Sequence, residues 1–231
     1  VVDVKFSSLV YELKEEMRGR WGVVIAGAIG PLIFLLPNPL LGPILPIFLY
    51  PLPLMLASHV KREEKDIGSA VMLGATLGYI MMALTQVLIR SPVICKPVGP
   101  TGGILNAIMF PYLILALAPP LLPLTMLWIF LAAFPAYVVH KNGVSSRLVL
   151  LMTSAALAIG SILSLICSLR LPARMFLILR SSFMFSSFLD AVLFIYLLYY
   201  ALGGRKGKRF LTSFVTFSLL VRSMSLGAQI R

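Results

Sequence analysis

The chain is organised around separate apolar runs, several of which reach or approach the ~20 residues with which an α-helix crosses the hydrocarbon of a bilayer. The cleanest runs from Ile67 to Ile89; others extend from Gly22 to Leu36, Leu40 to Ala57, Ile104 to Val139 and Leu148 to Leu169. Backbone polar groups in lipid must be satisfied internally, so runs of this kind read as helices, and their continuity rather than alternation argues against a β-barrel. Composition agrees: 59% of the 231 residues are hydrophobic and 12% charged, where a soluble domain is about a quarter charged. The expected fold class is all-α, a polytopic helical membrane protein with about 6 (5 to 8) membrane helices, kinked or re-entrant where prolines crowd.

Three regions follow from the pattern. Residues 1–20 mix Leu9, Val10, Leu13 and Met17 with charged residues at helical spacing, which predicts an interfacial amphipathic helix rather than a cleavable signal peptide. Residues 21–169 form the helical bundle. The segment from 40 to 57 carries Pro43, Pro46, Pro51 and Pro53, too many for a regular helix. The stretch from 104 to 139 is interrupted by Pro119, Pro120 and Pro123 and reads as a tight helical hairpin. Within the cleanest run, Ala70, Gly74 and Gly78 form a small-xxx-small series that would let a second helix approach closely. Residues 170–231 form a basic C-terminal helical region.

The net charge of +12 would suggest nucleic acid in a soluble protein. In a membrane protein it marks the cytoplasmic face and its anionic lipid, so lipid is the expected partner and nucleic acid is not. Taking the N-terminus as cytoplasmic in a multi-pass cell-membrane protein, an inside C-terminal region puts 16 Lys and Arg inside and four outside (Arg90, Lys96, Lys141 and Arg147). A span at 182–202 followed by a return divides them 11 to 8, leaving Arg222 within the membrane. A third arrangement, in which 104–139 crosses an odd number of times, gives 13 to 5 with the terminal segment uncounted. Hydropathy favours a span at 182–202 and charge favours an inside C-terminal region; charge is given the greater weight.

Reactive groups are scarce. Asp190 is the one carboxylate inside an apolar run, and one carboxylate makes no acid/base pair. Three aspartates in all, at positions 3, 66 and 190, do not supply an Asp-rich magnesium motif. Cys95 and Cys167 lie apart without metal or redox spacing, and no nucleotide-binding glycine motif occurs. His59 and His140 read as interfacial histidines on opposite sides. No catalytic residue, metal site or cofactor is expected. The intramembrane ionisable residues are Asp190 and Arg222, which would pair if their segments pack together; snorkelling of Arg222 is the simpler reading.

Five motifs carry a resemblance. Pro37-Asn38-Pro39-Leu40-Leu41 closes the first apolar segment, Gly143 to Arg147 opens a later one, Leu171 to Arg180 starts the C-terminal region, and Ala201-Leu202-Gly203-Gly204-Arg205 and Ala228-Gln229-Ile230-Arg231 follow. In this order they resemble the transmembrane (T) component of energy-coupling-factor transporters. The resemblance implies a non-catalytic subunit of an ATP-driven importer, with a substrate-binding membrane subunit and ATPase subunits as partners. It also implies ATPase coupling through Arg205 and Arg231. The alternative is a structural or accessory subunit of a larger respiratory or secretion-type complex.

Overall fold

The computed structural model describes residues 6–35, 50–90, 122–170, 177–203 and 207–230. Among them are eight α-helices and no strand: α1 (Phe6–Glu16), α2 (Trp21–Ile29), α3 (Leu52–Val60), α4 (Ile67–Arg90), α5 (Leu122–Asn142), α6 (Arg147–Arg170), α7 (Leu177–Leu202) and α8 (Arg209–Ile230). A 3-10 turn, Gly30–Leu35, follows α2. The all-α class stands. Among the described residues one helix carries a window both long and apolar enough to cross a membrane, Ile67–Leu84 in α4; the apolar stretches Trp21–Ile33, Arg147–Ile162 and Ser187–Leu202 are shorter.

Proline sets several of these boundaries. Pro51 caps α3 and Pro53 sits in its first turn, where the missing N–H costs nothing. Likewise α5 begins at Leu122 with Pro123 in its first turn. The remainder of the hairpin read over 104–139, residues 104–121, lies outside the described residues. Pro135 lies inside α5, and beside it the Ser213 hydroxyl of α8 donates to the Ala136 carbonyl at 2.7 Å.

Helix α4 is the hub, packing against α2, α5, α6 and α8, while α8 also packs on α5 and α3 on both α2 and α5. Helices α6 and α7 form a long antiparallel hairpin. Its two helices are stitched by reciprocal bonds, Ser161 Oγ–H to the Ser187 carbonyl and Ser187 Oγ–H to the Ser161 carbonyl, each 2.9 Å.

Loop contacts fix which ends lie together. A Cβ on Gly68 would overlap the Gly143 carbonyl oxygen, and Val144 pairs with Gly207 in a short antiparallel bridge. The chain around residues 16–20, 61–68, 143–147 and 207–209 therefore meets at one end, and α4, α6 and α8 all leave from it. Lys141, Arg147 and His140 thus lie at the same end as Lys61 and His59, and α7 packs along α6.

Candidate functional site

Two polar clusters stand out, one at the shared basic end and one deep in the bundle. At the basic end the Glu16 carboxylate, at the last residue of α1, accepts hydroxyl bonds from Ser69 (2.7 Å) and from Ser145. Lys61 donates to the Gly19 carbonyl at 2.6 Å and to Glu64 at 2.9 Å, and Arg20 faces Glu64 at 3.4 Å. Gly19, at φ +76°, makes the left-handed turn that brings these charges together. The cluster fastens α1 to the starts of α4 and α6.

The hydrogen bond from Lys61, with the positive charges of Lys61 and Arg20, holds the Glu64 carboxyl below its ordinary range. A lowered folded-state value contributes stability that is complete above the unfolded value and lost as pH falls through the folded one. The contact should therefore persist at neutral pH and release only below the usual carboxylate range. Emission from Trp21, next to Arg20, in a Trp128→Phe background should report that release, and Glu64→Gln should abolish the acid transition.

The deep cluster is built from α4, α6, α7 and α8. Asp190 of α7 is fully buried and Arg222 of α8 nearly so, and the guanidinium donates to Asp190 Oδ2 in a direct salt bridge. Asp190 Oδ1 has no hydrogen-bond partner among the described residues. Arg222 also bonds the Tyr79 hydroxyl of α4. Gly160 of α6 leaves room for that hydroxyl, since a Cβ there would stand 2.6 Å from it. Thr76 and Thr153 join α4 to α6 at 2.8 Å, and the buried Tyr50 lies against Ser223 of α8.

Depth makes this cluster unusual. Asp190 lies twelve residues before the end of α7 and Arg222 thirteen after the start of α8, so at 1.5 Å per residue both sit ~18 Å from the basic end. Residues at equal distance from a helix–loop–helix turn share a level. That symmetry was available in the sequence and could have favoured pairing over snorkelling, the reading that the structure corrects. Tyr79, Thr76, Thr153 and Glu16 were not singled out, because their partners belong to segments distant in sequence.

The small-residue series lies where α2 crosses α4. Ala70 and Gly78 are buried, and the backbone of Gly27 rests on Gly74 and Gly78. A Cβ on Gly27 would fall 2.5 Å from the Gly74 carbonyl carbon, and one on Gly78 would fall 2.7 Å from the Gly27 oxygen. Arg205 and Arg231 lie outside the described residues, as does the 37–41 motif. Among the described residues no group of three or more His, Cys, Asp or Glu could hold a metal ion.

Compared with family models, curated proteins and solved structures, the chain finds no match.

Proposed function

We propose that this chain is a multi-pass membrane protein acting as a non-catalytic transport subunit, with the Asp190–Arg222 level as its functional centre. The observation that carries the reading is the buried ion pair itself. Charges at such depth are costly, and in membrane bundles they mark solute or coupling pathways more often than passive structure. Three further features support it. Helices α4 to α8 have 21 to 26 residues, roughly 32–39 Å at 1.5 Å each, enough for a hydrocarbon layer of ~30 Å. Phe188, Val192, Ile195, Tyr199 and Leu202 form an exposed apolar stripe along α7, and Met126, Phe130 and Tyr137 expose another on α5, as lipid-facing surfaces would. The 13-to-5 charge division supports a cytoplasmic basic end.

Cysteine labelling tests the topology: Lys65→Cys, Asn142→Cys and Lys208→Cys should all react from the cytoplasmic side, and a cysteine between α6 and α7 from the other. Opposite-side labelling of Lys65→Cys and Asn142→Cys would overturn it. The ATP-driven version rests on the resemblance. It predicts that the tagged chain is recovered from its host with ATPase subunits and a second membrane subunit, and that Arg205→Ala abolishes the ATPase recovery. Recovery with a respiratory or secretion assembly would select the accessory-subunit reading instead.

A further inference from the structure

We infer that the α6–α7 hairpin is a swinging arm, hinged where Val144 meets Gly207 and latched by Asp190–Arg222, whose release opens the seam between the arm and the rest of the bundle. The first support is connectivity. The chain enters the arm beside Val144 and leaves it beside Gly207, and these residues pair with each other at the basic end. Tyr196 of the arm reinforces the spot by accepting the Lys208 N–H at 3.0 Å. Both flanking segments thus lie side by side, as a hinge requires, and Gly143 at φ +79° turns the chain into the arm.

The second support is the uneven packing. Inside the arm, α6 and α7 meet along their length, and α2, α4, α5 and α8 are similarly packed among themselves. Among the described residues α7 packs closely on α6 alone, and the arm reaches the rest chiefly through the contact of α6 with α4. The polar contacts across that seam are Thr153 on Thr76, the Tyr79 hydroxyl by Gly160 and, at about the same depth as the last, Asp190 on Arg222. A pair of rigid bodies joined at one end and held by a directional contact at distance from it is the geometry of hinge motion. The inference needs only this packing and stands apart from the transport partners proposed above.

The test uses the full chain in detergent micelles with Cys95 and Cys167 replaced by serine. Thr153→Cys reports the seam and Ala132→Cys, equally buried but on α5, reports the rest of the bundle. With the latch intact, N-ethylmaleimide should modify both slowly. Adding Asp190→Asn should speed modification at 153 by about tenfold or more while leaving 132 within about twofold, as local opening requires. The charge-reversed pair Asp190→Arg with Arg222→Asp should restore the slow rate at 153. An unchanged rate at 153, or equal acceleration at 132, would overturn the arm: the first shows no opening and the second a general loosening. If Asp190→Asn fails to yield folded protein, Arg222→Gln is read in the same way.

Discussion

Replacing Arg222 with methionine should lower the thermal midpoint of unfolding by about 10 °C, and replacing Asp190 with leucine should do the same. Removing one member of a buried pair costs roughly 3–5 kcal/mol, because the other charge is stranded, and each kcal/mol shifts the midpoint of a chain this long by about 2–4 °C. The double variant Asp190→Leu, Arg222→Met should recover most of the loss, since two apolar side chains of similar size leave no charge behind. A full double-mutant cycle by thermal scanning would show strong coupling between the sites. Additive losses in the double variant would mean that each side chain acts alone.

The second large effect is expected where α2 crosses α4. Gly27→Val should abolish recovery of monodisperse protein, because its Cβ meets the backbone of Gly74, which has no rotamer to change. Overpacking against side chains costs about 1–3 kcal/mol, and a clash with backbone forces the helices themselves apart. Gly22→Val is the matched control. It lies five residues earlier in the same helix with nothing within 4 Å of the added Cβ, and should behave as wild type in size-exclusion chromatography. Equal behaviour of the two variants would remove the case for close approach at this crossing.

The crossing was legible because it depends on local sequence: glycine four residues from glycine in an apolar helix leaves a groove whatever lies opposite. The ion pair was half legible. Two charges inside apolar runs were conspicuous, but their meeting depends on α7 and α8 both being helices that leave a common turn. Pro123, read with Pro119 and Pro120 as the bend of a hairpin, lies in the first turn of α5, where proline is at home. Which helix ends meet depends on loop contacts such as Gly68 on Gly143, which no local pattern announces. Tyr79, Thr153 and Glu16 were illegible, because only the assembled bundle brings each to a partner more than 70 residues away or on an unconnected helix.

The pairing of α7 with α8 also imposes an order in time. Asp190 and Arg222 are 32 residues apart, so at ~5–20 residues per second of synthesis the aspartate emerges roughly 2–6 s before its partner exists. If α7 spans the membrane as proposed, a lone aspartate at its centre opposes insertion by about 2.5–3.5 kcal/mol, which its apolar stripe must outweigh unaided during that interval. A chain truncated before Arg209 should then insert α7 less completely than the full chain, as glycosylation-site mapping during cell-free translation into microsomes would reveal. In that case α8 acts as the internal chaperone of the helix made before it.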